Sequence, residues 1–179
     1  SMVAQLETPV QNSACPLPYT VEGLVQVFTS QQRNFLTDVM AQALRIAGQG
    51  TPVLVVQFLK GGIAQSYRHP LRLGQNLDWI RCELSRNIDQ PPLEEAETQA
   101  ILDLWDSTCN AVFEGQYSLV VLDELSLAMN FGAVEEAKVL DFLDRRPRHV
   151  DLILTGPQMP ESILNLADRI TEIRRTRQP

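Results

Sequence analysis

Hydrophobic and polar positions fall into blocks that predict strands and helices in alternation along this chain. Residues 119–122 are four apolar residues between polar ones, a pattern typical of a strand buried on both faces of a parallel sheet. Residues 23–28 and 52–59 read as two more strands, and apolar residues recur at three- and four-residue steps over residues 35–47 between them. This order predicts a βαβ unit with a right-handed crossover.

The remainder of the chain continues the alternation. Residues 76–84 alternate and form a candidate strand, and the other predicted strands are 150–156 and 168–173. The predicted helices are 93–113, 125–129, 134–143 and 160–166. The pattern predicts an α/β fold, a three-layer sandwich around a mostly parallel sheet of about six strands.

Prolines set the beginning of the chain apart from this pattern. Pro9, Pro16 and Pro18 lie among scattered polar residues, so residues 1–20 are predicted to form a flexible arm. A second interpretation is an arm that docks on a neighbouring subunit or another protein. Residues 21–179 are then expected to form a single domain.

Two carboxylates follow the apolar run at 119–122. Asp123 and Glu124 end a predicted strand, where open α/β sheets place their ligand crevice. A buried strand ending in Asp-Glu is similar to the Walker B element of P-loop NTPases, whose acidic residue organises Mg²⁺. The alternative is a helix start, where carboxylates favour the helix dipole.

Composition narrows the function classes. The net charge of −7 argues against nucleic-acid binding, and no apolar run approaches the roughly 20 residues of a membrane span. Cys15, Cys82 and Cys109 are widely spaced, which indicates neither a zinc site nor a disulfide framework. No signal peptide is visible, and a cytoplasmic location is predicted.

Several phrases match one protein family in order. They are GLVQVFT at 23–29, ALRIAGQG at 43–50, VVQFLKG at 55–61, LVVLDE at 119–124, RP at 146–147, LILTG at 152–156 and LADRITE at 166–172. On these phrases the chain resembles the ATP:corrinoid adenosyltransferases of the CobA/BtuR (CobO) type. The resemblance covers roughly residues 21–173 and is weakest over residues 63–92.

The resemblance implies a P-loop NTPase-like (RecA-like) fold and a homodimer. It also implies transfer of the 5′-deoxyadenosyl group of ATP to the cobalt of a reduced corrinoid, with a divalent metal on the phosphates. On this basis Lys60 and Thr155 are nucleotide-site remnants, and Asp123 and Glu124 are the candidate metal ligands. The family's tryptophan-containing corrinoid loop has no clear match, so Trp79 is not assigned to it.

The phosphate loop is where the chain departs from the family pattern T-G-x-G-K-G-K-T-T. In register with it stand Thr29, Ser30, Gln31, Gln32, Arg33, Asn34, Phe35, Leu36 and Thr37. All three glycines are replaced, although glycines let backbone N–H groups close around phosphate oxygens. Phe35 takes the position of the phosphate-binding lysine, and Leu36 that of the metal-binding hydroxyl. Arg33 and Thr37 keep a cation and a hydroxyl.

Three hypotheses for the function follow. The first is a relative with a degenerate phosphate loop that has lost ATP-dependent adenosyl transfer and acts as a binding, regulatory or scaffolding protein. The second is an active ATP:cob(I)alamin or cob(I)yrinic acid a,c-diamide adenosyltransferase with a remodelled loop, for which Mg²⁺ and ATP would be required. The third is a module that binds a corrinoid or another small molecule without chemistry.

Overall fold

Strands and helices alternate in the computed structural model, which describes residues 23–33 and 37–174. The strands of this part are β1 (Val25–Ser30), β2 (Val53–Gly61), β3 (Leu71–Leu73), β4 (Leu77–Cys82), β5 (Leu119–Asp123), β6 (Asp151–Thr155) and β7 (Arg169–Ile173). Its α-helices are α1 (Thr37–Gly48), α2 (Glu95–Phe113), α3 (Leu125–Asn130), α4 (Glu136–Arg145) and α5 (Glu161–Leu166), and a 3₁₀ turn covers Ile63–Gln65. The predicted arm at residues 1–20 lies outside the described residues.

Within the described residues the strands form one sheet in the order β3-β4-β2-β5-β6-β1-β7. All neighbouring strands are parallel except β3 and β4, which pair antiparallel. Helices cover both faces, because strands buried on two sides need a layer against each. The predicted three-layer α/β fold is therefore confirmed.

The two faces of the sheet differ in their cover. Helix α1 packs Val39, Ala43 and Ala47 against one face, where they meet apolar residues of β2, β4, β5 and β6. Helices α2 to α5 pack against the other face and build the larger core around Phe58 and Trp105. The apolar residues that recur at helical spacing in the sequence are therefore the ones that face the sheet.

The sheet contains one strand that the sequence pattern did not predict. The six predicted strands are present, and β3 is a seventh strand in the described part. It is three residues long and mostly exposed, so neither its length nor its hydrophobicity gives a periodic signal. Pro160 precedes helix α5 as its N-cap, one position before the helix begins.

The parallel arrangement decides where functional residues can gather. The carboxyl ends of β1, β2, β5 and β6 lie along one edge of the sheet, called the carboxyl edge below.

No helix in the described part of the chain is both long and apolar enough to cross a membrane.

Candidate functional site

The carboxyl edge brings together the acidic pair and Thr155, as their strand-end positions predict. Asp123 is the last residue of β5, and Glu124 follows with φ 60° and ψ 30°, a left-handed conformation that few non-glycine residues adopt. The backbone N–H of Glu124 donates to Thr155 Oγ1 at 2.9 Å, and its carbonyl accepts from Leu127 and Ala128 in helix α3. These contacts hold the turn that separates the two carboxylates.

Asp123 belongs to a chain of hydrogen bonds that crosses the sheet. The Thr155 hydroxyl donates to Asp123 Oδ1 at 2.9 Å, and Gln57 Nε2 donates to Asp123 Oδ2 at 3.1 Å. Gln57 Oε1 accepts from Trp79 Nε1 at 2.9 Å and from Arg81 Nε at 2.8 Å. These residues lie on β6, β2 and β4, so the network forms only because the sheet brings these strands next to one another or next to β5.

The charge of Asp123 is disfavoured in this position. Burial raises the pKa of the Asp123 carboxyl above its ordinary value, and repulsion from Glu124 adds to the rise. The hydrogen bonds from Thr155 and Gln57 and the nearby charge of Lys60 act in the opposite direction, and the pKa remains raised. Lys60 thus shares the electrostatic environment of the acidic pair, at the end of β2 where the sequence places it.

Arg33 is bound to Glu124 by its guanidinium fork. Nε and Nη2 donate to the two carboxylate oxygens, with 2.9 Å between Nη2 and Oε1. Nη2 and Nη1 also donate to the carbonyls of Ile88 and Asp89, each at 3.1 Å. Hydrogen bonding to Glu124 raises the pKa of Arg33, so the guanidinium is cationic. The Glu124 side chain is 7% exposed, which makes Arg33 the partner of a buried carboxylate.

The predicted phosphate loop begins in the last two residues of β1, Thr29 and Ser30. Thr29 Oγ1 donates to the Gly156 carbonyl at 2.8 Å, and the Ser30 hydroxyl donates to the Gln32 carbonyl. Thr37 begins helix α1 and is exposed. The remaining predicted loop residues, Asn34, Phe35 and Leu36, lie outside the described residues.

Gly156 shows why glycine stands after β6. Its φ is 137°, a conformation that side chains rarely adopt, and a Cβ there would overlap Ser126 Oγ. Ser126 Oγ donates to the Pro157 carbonyl at 2.6 Å. Close contact between the β6 turn and helix α3 therefore requires glycine.

Gln57 is the site residue that sequence reasoning missed. It is 2% exposed and lies directly opposite Asp123 in the register of β2 and β5. A polar residue inside the apolar run of β2 was the available signal, because a buried amide needs partners. The cation of Arg81 also lies over the ring of Trp79, 5.2 Å from its centroid.

Other reactive side chains in the described part offer little chemistry. Cys82 and Cys109 are free thiols, and burial raises the pKa of each to about 12. Neither is therefore a thiolate at neutral pH. In residues 23–33 and 37–174, three or more His, Cys, Asp or Glu side chains do not come together in a metal-binding group.

Comparison with known proteins places the chain in a family. The sequence profile of the family described as "ATP:corrinoid adenosyltransferase BtuR/CobO/CobP" matches residues 21–179. The chain therefore belongs to the ATP:corrinoid adenosyltransferase family, whose P-loop-like α/β architecture agrees with the sheet described above.

Individual relatives agree with the family profile. The "Corrinoid adenosyltransferase CobA" of Salmonella typhimurium is 28% identical over 160 residues, which is 85% of this chain and 76% of the relative. The "Corrinoid adenosyltransferase" of Sinorhizobium is 25% identical over 170 residues, 88% of this chain and 75% of the relative. That of Escherichia coli K12 is 28% identical over 153 residues, 85% of this chain and 76% of the relative.

Proposed function

We propose that this chain no longer transfers an adenosyl group from ATP and acts instead as a binding, regulatory or scaffolding protein. The observation that carries the proposal is that Arg33 donates its hydrogen bonds to other residues of the chain. Four of the five N–H donors of a guanidinium are directed at Glu124, Ile88 and Asp89. The cation that remains at a lysine position of the phosphate loop is thus already used by the protein.

The neighbouring loop positions support the same proposal. Ser30 and Gln32 carry side chains where the family pattern has glycine, and Phe35 and Leu36 are apolar where it has a lysine and a hydroxyl. A charge-assisted hydrogen bond contributes about 1.5–3 kcal/mol. Losing two such contacts weakens triphosphate binding by a factor on the order of 10² to 10⁴.

The acidic pair fits a magnesium triphosphate poorly. Glu124 is neutralised by its pair with Arg33, so it offers little net charge to a divalent metal. Mg²⁺ in phosphate-transfer sites is held by one or two carboxylates together with the substrate phosphates. A loop that has lost its phosphate ligands no longer holds the substrate phosphates that would complete this coordination.

Calorimetry with Mg-ATP tests the proposal. We expect no micromolar binding to the natural sequence. A variant with the family loop restored carries Ser30→Gly, Gln32→Gly, Arg33→Lys, Asn34→Gly, Phe35→Lys and Leu36→Thr, and it should bind at least about 100-fold more tightly. Micromolar binding of Mg-ATP by the natural sequence would contradict the proposal.

Family membership favours a second candidate, an active ATP:corrinoid adenosyltransferase with a remodelled loop. It would use Arg33, Thr37, Asp123 and Glu124. The absorbance of chemically reduced cobalamin, followed after ATP addition, measures this activity directly. A rate equal to that without protein would remove this candidate, whereas a rate abolished by Asp123→Asn would support it.

Four predictions accompany either candidate. They are a single domain over residues 21–179, a homodimer, a possible corrinoid ligand and a cytoplasmic location. Light scattering coupled to size exclusion checks the dimer, because the monomer mass is 20.1 kDa. A protein partner of the arm at residues 1–20 is checked by comparing pull-downs with the full chain and a chain lacking the arm.

A further inference from the structure

The segment 83–92 lies across the end of strand β2, between strand β4 and helix α2. The Ile88 N–H donates to the Leu59 carbonyl at 2.8 Å, and the Gly61 N–H donates to Asn87 Oδ1 at 3.1 Å. The Ile88 side chain is buried, 1% exposed, in the core that α2 covers. This side of the segment is therefore fixed to β2.

Arg33 fastens the same segment from the other end of the carboxyl edge. It follows β1, which is separated from β2 by β5 and β6 in the sheet. Its guanidinium nevertheless reaches the carbonyls of Ile88 and Asp89 while it binds Glu124 at the end of β5. One side chain thus joins three segments that are distant in sequence.

The chemistry of arginine suits this role better than that of lysine. A guanidinium is planar and presents five donors in a fixed fork, so it can serve a carboxylate and two carbonyls together. An ammonium has three donors at a single point and cannot span the same acceptors. Glu124 gains a counter-charge in a position where an unpaired carboxylate would be costly.

We propose that Arg33 is a latch at the carboxyl edge: it neutralises Glu124 and fastens residues 88–89 to the end of β5 through contacts supplied by the chain itself. The inference rests on the proposed function, because it gives a phosphate-loop position a structural part in place of phosphate binding. Arg33, which stands at a lysine position of the family pattern, then binds other parts of the same chain and not a phosphate.

Amide hydrogen exchange with Arg33→Lys tests the latch. The probes are the Ile88 and Gly61 amides, which hold the segment 83–92 to β2. Loss of the fork should speed their exchange about tenfold or more, because the charge-assisted hydrogen bonds that hold residues 88–89 are weakened. Amides in the middle of α2 and α4 should change less than threefold, which distinguishes local opening from general loosening.

Arg145→Lys is the matched control, since Arg145 forms an exposed pair with Asp141 on the same helix. It should leave the Ile88 and Gly61 amides unchanged. If Arg33→Lys changes these two amides no more than the control does, or speeds exchange equally throughout the chain, the latch is overturned. If Arg33→Lys does not fold, Glu124→Gln is measured by the same criterion.

Calorimetry on the same samples keeps the two proposals apart. Micromolar Mg-ATP binding by the natural sequence would overturn the proposed function, and the latch would stand if the exchange contrast is observed. Uniform exchange without ATP binding would overturn the latch and leave the proposed function standing.

Discussion

Gln57 and Asp123 face each other on neighbouring strands and are joined by a hydrogen bond from Nε2 to Oδ2 of 3.1 Å. The opposite end of the Gln57 amide accepts from Trp79 and Arg81. Since both ends of the amide are in use, its orientation is fixed and it cannot rotate to serve another acceptor. Gln57 therefore determines which donor Asp123 meets.

Replacing Gln57 with leucine tests this network. Gln57→Leu should lower the free energy of unfolding by about 2 kcal/mol or more, because it leaves the Trp79 and Arg81 donors and one Asp123 oxygen without this partner. Urea unfolding followed by circular dichroism measures the loss. Gln99→Leu is the control, since Gln99 is exposed on α2 and its change should stay within about 0.5 kcal/mol. Equal effects of the two substitutions would contradict the role given to Gln57.

The pairing of Arg33 with Glu124 predicts a strong dependence of one residue on the other. Arg33→Ala should cost about 2–3 kcal/mol, less than the 3–5 kcal/mol of a fully buried pair because 29% of the Arg33 side chain is exposed. The double variant with Glu124→Gln should recover more than half of that loss, because the Glu124 carboxylate is then not left buried without its cation. Urea unfolding of the four proteins of the cycle gives the coupling energy. A coupling energy near zero would show that the pair is not formed in solution.

The third prediction concerns Asp78, at the opposite edge of the sheet. Arg72 donates to both of its oxygens at 2.9 and 3.2 Å, and the Tyr117 hydroxyl donates at 2.6 Å. Burial acts to raise the pKa of Asp78, but the hydrogen bonds from Arg72 and Tyr117 outweigh it and lower the pKa below its ordinary value. The ionised carboxylate therefore stabilises the fold above about pH 3.9, and this contribution is lost as pH falls through the folded-state pKa.

Asp78→Asn should accordingly destabilise the protein by about 1–2 kcal/mol near neutral pH. The difference from the natural sequence should shrink as pH falls below about 3.9 and through the lowered folded-state pKa, because the natural Asp78 then also becomes neutral. Urea titrations at a series of pH values check this. Asp141→Asn is the control, since its exposed pair with Arg145 should contribute about 0.3–0.5 kcal/mol. A difference that grows at low pH would mean that the sign of the shift is wrong.

Local patterns predict the layers of this fold well because burial decides them. The apolar run at 119–122 has to be a strand covered on both faces, and helix α1 follows from apolar residues at 39, 43 and 47. Strand β3 was missed because three exposed residues carry no periodic pattern. Its place depends on pairing with β4, which is a tertiary contact.

The candidate site was predictable only in part, for a related reason. Asp123, Glu124 and Thr155 could be placed at strand ends from sequence. The partners of Arg33 could not, because Glu124 is 91 residues away and the contact depends on the strand order. The carbonyls of Ile88 and Asp89 carry no side-chain signal at all. The residue type of Arg33 tells how many donors it has, but not which acceptors they reach in the fold.

The final prediction concerns Thr155, whose hydroxyl serves both members of the acidic pair. It donates to Asp123 Oδ1 and accepts from the Glu124 N–H, and the residue is 1% exposed. Thr155→Val keeps the shape and removes both hydrogen bonds. The free energy of unfolding should fall by about 1–3 kcal/mol, because a buried N–H loses its acceptor. The pKa of Asp123 should rise further, since the Thr155 hydrogen bond acts to lower it.

Two measurements separate this role from packing alone. Carbon-13 resonances of the Asp123 carboxyl, followed against pH, report its pKa in each variant. Thr155→Ser keeps the hydroxyl and loses a methyl group, so it should destabilise by about 1 kcal/mol while leaving the Asp123 pKa close to that of the natural sequence. If valine and serine shift the Asp123 pKa equally, the hydroxyl does not control the carboxylate. If only valine shifts it upward, the Thr155 hydroxyl acts with Gln57 and Lys60 to keep Asp123 ionisable at the end of β5.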